Sequence, residues 1–285
     1  MNSGIRQLEI LDSEGGAPFP AVVQYPTDQA STGTMIGPYY FEATPDAVPA
    51  PGRFPTCVIS HGGGGSHLLY RSIGTHLAIS GYVVVSLEHP GDNRNDRSRS
   101  GTDRAALDRP RHASCAIDAV LADPVLGQVA DGARACVVGH SMGGYTALAL
   151  VGGRPWSRSG QPIPTRADAR VRAAVLLAPA TDWFMAPGAL ADVSVPLLVL
   201  AGERDHVTPP AAIRQALAGL LTRGTATLDV VPGAGHYSFL TPFPAQMRRP
   251  DFPPATDPDG FDRDGFHVEL PRRVEAFLTE ALVLR

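Results

Sequence analysis

The stretch Ala135-Cys136-Val137-Val138-Gly139-His140-Ser141-Met142-Gly143-Gly144-Tyr145-Thr146-Ala147-Leu148-Ala149-Leu150 reads as an apolar strand that turns without a loop into a helix, with G-x-S-x-G across the junction. A strand passing directly into a helix forces the central residue into a strained backbone. Glycines two positions to either side let neighbouring chain approach without a Cβ clash. Ser141 then stands exposed at the tip, which makes it the candidate nucleophile.

Outward from this junction, short apolar runs recur at 56–60, 82–87, 173–178, 197–201 and 227–231, each followed by a helix-like segment. The alternation implies an α/β fold, a mostly parallel central sheet with helices on both faces. Val83-Val84-Val85 and Leu197-Leu198-Val199-Leu200 do not alternate with polar residues, as in central strands buried on both sides. Residues 7–11 and 21–25 read as a leading antiparallel hairpin, followed by a Pro/Gly-rich passage at 37–54. A single domain over 1–285 is expected, with 1–55 as the leading strands and passage, and 152–172 as a candidate cap insertion. That insertion is small, so the lid is short or absent.

Composition narrows the function. The 285 residues are 44% apolar, enough for a sizeable core. A net charge of −4 supplies no field for nucleic acid or an anionic membrane, so the expected partner is a small molecule. Every basic residue is arginine, which excludes a Schiff-base lysine and a Walker-type phosphate loop. Cys57, Cys115 and Cys136 are odd in number, and two sit in apolar runs, so they read as reduced structural thiols. Residues 1–6 lack the pattern of a signal peptide, and no apolar stretch approaches the roughly 18 residues of a membrane span. A cytoplasmic protein is expected.

A serine hydroxyl needs a base to accept its proton and a third group to orient that base. The run 197–201 ends in Gly202-Glu203-Arg204-Asp205-His206, and Val230-Val231-Pro232-Gly233-Ala234-Gly235-His236 follows the next strand. His236 is selected among nine histidines by its position after the last strand and its glycine lead-in. Asp205 is the preferred acid; Asp182, close behind the strand at 175–177, is its rival. A base that must be neutral predicts activity climbing between about pH 6 and 8. For the oxyanion, His61-Gly62-Gly63-Gly64-Gly65 follows a strand, and the expected donors are the N–H groups of Gly63 and Met142. Read otherwise, four glycines are a flexible turn or a phosphate cradle, but the missing lysine and the spacing argue against phosphate. With no H-E-x-x-H and no paired-cysteine motif, no metal is expected.

The connections at 90–111 and 241–265 leave the carboxyl ends of strands and are candidate pocket walls. Tyr145, Trp183, Phe184 and Phe239 are candidate lining residues. The first connection carries six arginines and four aspartates. It is either a self-paired surface segment or a selector for an anionic ester, since guanidinium groups pair bidentately with carboxylates.

The order Ser, Asp, His is that of α/β-hydrolases. The chain resembles that superfamily. Within it, the chain is similar to bacterial predicted dienelactone hydrolases, relatives of platelet-activating-factor acetylhydrolases. The likeness spans roughly residues 20 to 285. It is carried by Ser60 to Ser66, Ser80 to Val84 with Glu88-His89, Gly139 to Gly144, Gly235 to Leu240, and Asp257 to Arg263 with Phe266-His267. The resemblance implies carboxylic-ester hydrolysis without a cofactor. Two departures stand out: dienelactone hydrolases use a cysteine where this chain has Ser141, and the acetylhydrolases draw their acid from a position nearer Asp182. The expected activity is a serine esterase acting on small or medium substrates. An amidase, lactonase or acyltransferase with the same triad, or a non-catalytic ligand-binding protein on this fold, are the alternatives.

Overall fold

β-Branched and apolar runs have little choice but to pair edge to edge and bury both faces, and here they form a nine-stranded sheet. A computed structural model describes residues 1–14 and 16–283, so the domain expected over 1–285 is covered except for Gly15, Leu284 and Arg285, which lie outside the described residues. In chain order the strands are β1 (Asn2–Ile10), β2 (Phe19–Thr27), β3 (Thr34–Ile36), β4 (Tyr39–Phe41), β5 (Thr44–Pro45), β6 (Phe54–Ser60), β7 (Val83–Leu87), β8 (Ala130–His140), β9 (Val171–Leu177), β10 (Leu197–Gly202) and β11 (Ala226–Val231). The helices are α1 (Arg71–Ile79), α2 (Asp103–Ala122), α3 (Met142–Leu150), α4 (Pro210–Ala216), α5 (Ala218–Thr222) and α6 (Arg263–Val283).

The main sheet runs β11-β10-β9-β8-β6-β7-β2-β1-β5, parallel from β11 to β7, with β2 antiparallel to both of its neighbours. Strands β3 and β4 pair separately. Alternate side chains of the central strands feed two cores. Val58, Val137, Leu176 and Val199 join the layer under α2, α3 and α4, while Ile59, Val138, Leu177 and Leu200 join the layer under α1 and α6. Cys57 and Cys136 sit opposite each other across β6 and β8, and all three thiols are buried and unbridged.

The expected strands form, as does the leading hairpin. Residues 152–170 carry no helix or strand. They pack against 183–189 through hydrogen bonds from Arg154 N–H to Ala189 O and from Trp156 N–H to Trp183 O, both 2.8 Å. No cap stands there. Among the described residues no helix is long and apolar enough to cross a membrane.

The stretch 90–111, read as one connection, is a loop only as far as Thr102. The Thr102 hydroxyl accepts the N–H of Ala105 at 3.2 Å and starts α2, so Arg104, Arg109 and Arg111 are helical. Pro110 hid this helix from the sequence, because an interior proline removes the hydrogen bond to the carbonyl four residues earlier. Here that carbonyl, Ala106 O, accepts the Tyr145 hydroxyl at 3.0 Å. The Tyr145→Phe variant should therefore lose about 1–3 kcal/mol of stability, the cost of a buried carbonyl left bare. Urea unfolding should show a lower midpoint with an unchanged slope; an unchanged midpoint would mean that proline is tolerated for another reason.

Candidate active site

From the carboxyl end of β6 the chain goes to β7 on one side and later returns to β8 on the other. Loops leaving β6 and β8 therefore diverge and leave a crevice between them, where open α/β sheets bind ligands. Ser141 leaves β8 and Gly62 to Gly65 leave β6. Ser141 holds φ 55° and ψ −117°, a strained conformation for a residue with a side chain. Its carbonyl accepts the N–H groups of Gly144 at 2.9 Å and Tyr145 at 3.2 Å, so the helix begins at once. A Cβ on Gly143 would overlap the Ser60 carbonyl, and one on Gly139 would overlap the Gly143 backbone. Only glycine lets β6, β8 and α3 meet this closely.

Ser141 Oγ lies 3.1 Å from His236 Nε2, and His236 Nδ1 lies 2.8 Å from Asp205 Oδ2. With its proton on Nδ1, His236 donates to Asp205 and accepts from the serine hydroxyl. Asp205 is buried. Its Oδ1 accepts the N–H groups of Val207 and Thr208, both at 2.8 Å, and the Thr208 hydroxyl lies 2.8 Å from Oδ2. Burial alone would push this carboxyl upward, but the His236 hydrogen bond and charge and the Thr208 donors outweigh it and hold the pKa below the usual carboxylate range. Asp182 is exposed on a short turn after β9 and takes no part in this chain; His206 is exposed as well.

The glycine loop is tied at three points. Gly62 N–H donates to the Tyr70 hydroxyl at 3.3 Å, Gly64 N–H to Asp92 Oδ1 at 3.1 Å, and Gly65 N–H to Gly62 O at 3.0 Å. Gly63 N–H has no acceptor among the described residues, and neither does Met142 N–H in the first turn of α3. The two are neighbours: Met142 Cγ is 3.5 Å from where a Gly63 Cβ would stand. Beneath them Arg109, fully buried, donates to Asp92 Oδ2 at 2.7 Å, to Thr146 Oγ1 at 3.1 Å and to the carbonyl of His61.

The histidine loop is braced from both sides. His140 Nε2 donates to His236 O at 2.9 Å and its Nδ1 accepts the Tyr70 hydroxyl at 3.0 Å, so one tyrosine links the glycine loop to the histidine loop. On the far side, the Ser238 hydroxyl donates to Asp257 at 2.7 Å, Arg263 pairs with Asp257 at 2.8 Å, and His267 Nε2 donates to Ser238 O at 3.0 Å. The segment 257–267 entered the sequence reading through resemblance and as the end of a suspected pocket wall; in space it holds the loop that carries His236. Among the described residues no group of three His, Cys, Asp or Glu side chains is placed to hold a metal ion.

A cleft of about 580 Å³ opens over Ser141. None of Tyr145, Trp183, Phe184 and Phe239 lines it. Tyr145 points down from α3 into the core, where Trp183 and Phe184 stack on it at 5.4 Å, and Phe239 is buried against His140 and Phe266. The walls are Tyr39, Leu69, Tyr237, Phe243 and Phe252, with Arg94 and Arg97 at one side. Both suspected wall loops thus reach the cleft, through Arg94 and Arg97 and through Phe243 and Phe252. Tyr237 sits beside His236 and Phe252 in the suspected wall 241–265; Tyr39 comes from distant chain with no local signal.

Five histidines are buried and held neutral. Burial pushes His140 down to about 3 and His112 and His267 to about 4, and burial with the nearby Arg109 charge holds His61 and His89 well below 6.5. In the unfolded chain each imidazole binds a proton near pH 6.5 that the folded state refuses, so the unfolded state binds more protons below that pH. Their contribution to stability is therefore complete above about pH 6.5 and falls as pH drops toward 4, by up to about 1.4 kcal/mol per pH unit for each ring. Urea titrations from pH 8 to 4 should show a plateau and then a steep decline; flat stability to pH 4.5 would contradict the buried, neutral assignment.

A family model described as PET hydrolase-like matches residues 44–241. No curated protein matches the chain significantly. Among solved structures, a ferulic acid esterase from Streptomyces cinnamoneus superposes with a TM-score of 0.71 at 20% identity, covering 100% of this chain and 91% of that one. A Mycobacterium tuberculosis puromycin-hydrolyzing peptidase superposes with a TM-score of 0.64 at 19% identity; 98% of this chain is covered, but only 39% of the peptidase. At these identities the likeness speaks for the fold, which is the α/β-hydrolase fold that the resemblance implied. With the family model spanning residues 44–241, more than half of its length, the chain belongs to the PET hydrolase-like family of α/β-hydrolases.

Proposed function

We propose that this protein is a serine hydrolase that cleaves carboxylic esters through an acyl-enzyme. The observation that carries the reading is the unbroken line from Ser141 Oγ through His236 to Asp205 on the floor of an open cleft. The family description and the esterase among the structural neighbours support it. Ser141 Oγ attacks the ester carbonyl while His236 Nε2 takes its proton, and Asp205 holds Nδ1–H and stabilises the imidazolium. The negative oxygen of the tetrahedral intermediate sits between the free N–H groups of Gly63 and Met142. His236 then hands its proton to the leaving alkoxide, and the same groups activate water to release the acid.

Among the described residues no cap lies over the cleft, and its volume of about 580 Å³ suits a small or medium ester. The same machinery would open a lactone or an amide; the peptidase among the structural neighbours favours the amide as second reading. Running p-nitroanilides beside the matching p-nitrophenyl esters separates the two.

With p-nitrophenyl acetate and butyrate, Ser141→Ala and Asp205→Asn should each lower kcat about 10⁴-fold or more, and Ser141→Ala should also abolish stoichiometric labelling by an organophosphonate. An Asp182→Asn variant should stay within about twofold of the parent, because an exposed carboxylate far from the imidazole contributes little. Labelling that survives Ser141→Ala would remove the serine as nucleophile. Good turnover of long-chain lipid esters with none of the short ones would overturn the size assignment.

A further inference from the structure

The arginines of 90–111 divide between two tasks. Arg99, Arg104 and Arg111 converge on Asp108 with N–O separations of 3.1, 2.7 and 2.8 Å, and Arg109 is taken up by Asp92. That leaves Arg94 and Arg97. Both line the cleft over Ser141, and neither guanidinium meets a carboxylate or another acceptor among the described residues. The acids beside them are occupied: Asp92 Oδ1 takes Gly64 N–H at 3.1 Å and the Ser100 hydroxyl at 2.5 Å, and Asp96 takes Ser98 N–H at 3.0 Å.

The loop presenting these two cations is fixed. Asn93 Oδ1 accepts the N–H groups of Asn95 at 2.8 Å and Asp96 at 2.9 Å, Asn93 Nδ2 donates to His89 O at 2.9 Å, and Arg94 N–H donates to Gly65 O at 2.8 Å. Arg97 lies flat on the glycine loop: a Cβ on Gly64 would stand 2.5 to 2.7 Å from three of its guanidinium atoms. Gly64 has φ +61°, so the position favours glycine for its backbone. The Arg97 charge thus stands beside Gly64, one residue from Gly63, while Tyr237, Phe243 and Phe252 offer apolar surface elsewhere on the wall.

We propose that Arg94 and Arg97 form an anion subsite, and that the protein prefers esters carrying a free carboxylate within a few bonds of the scissile carbonyl; this rests on the ester-hydrolase reading above. Two unpaired guanidinium groups on a fixed loop offer bidentate, charge-assisted hydrogen bonds to a carboxylate, and a lone neutral ester leaves them unused.

The test compares kcat/KM for matched pairs at low ionic strength. Mono-4-nitrophenyl succinate against p-nitrophenyl butyrate places the charge on the acyl side. 4-Acetoxybenzoate against its methyl ester places it on the leaving group. One anionic member should be favoured by about five- to tenfold, and 0.5 M salt should shrink the preference, as screening requires. In the Arg94→Gln, Arg97→Gln double variant the ratio should fall to about one, each single variant should lose part of it, and Arg97→Lys should retain part. Parity in both pairs, or a preference that survives the double variant, overturns the subsite alone. Absence of turnover on all four esters together with absence of phosphonate labelling overturns the hydrolase reading and the subsite with it.

Discussion

The arrangement depends on one backbone constraint, the close approach of β6, β8 and α3 around Ser141. The residue sits at φ 55° in a conformation that costs on the order of 1–3 kcal/mol. The cost is tolerated because β8 is buried between β6 and β9 and α3 is buried along nearly its whole length, so the flanking elements cannot relax without exposing core. Gly139 and Gly143 complete the constraint, since a single Cβ at either would push the strands and helix apart. The same approach brings the Ser60 carbonyl, and hence the loop that follows it, alongside the serine.

Around that fixed point the loops are locked to one another rather than to solvent. Tyr70 and His140 join the glycine loop to the backbone of His236, and Asp257 with Arg263 and His267 closes the other side. The Asp92–Arg109 pair carries the lock downward, to the loop above through Gly64 and His61 and to α3 through Thr146. A buried ion pair is an expensive way to gain stability. Here it fixes the position of two backbone segments that a hydrophobic pair of equal volume could not hydrogen-bond. That locking also fixes the free N–H groups of Gly63 and Met142, which the proposed oxyanion role requires to be oriented before reaction.

Much of this was legible locally. The elbow reads from glycine spacing at a strand end, the parallel sheet from unbroken apolar runs such as Val83-Val84-Val85, and His236 from its place behind the last strand. The reading slipped where partners come from another element. The stretch 90–111 read as one loop although a helix with Pro110 inside it begins at Asp103, and the Tyr145 hydroxyl, contributed from another helix, satisfies the Ala106 carbonyl that the proline leaves free. Tyr145, Trp183, Phe184 and Phe239 lie near Ser141, Asp182 and His236 in sequence, yet their side chains point into the core.

By itself, then, the sequence determined the α/β order of elements, the strained serine junction and the chain order of serine, acid and histidine, because each rests on short-range periodicity or on what glycine alone permits. Only the tertiary structure set Asp205 rather than Asp182 against His236, drew Tyr39 into the wall beside Phe252, and split the arginines into four that pair internally and two that face the cleft. Those choices depend on strand order and loop packing. Side chains that meet across a crevice come from segments tens of residues apart, and no local pattern encodes their meeting.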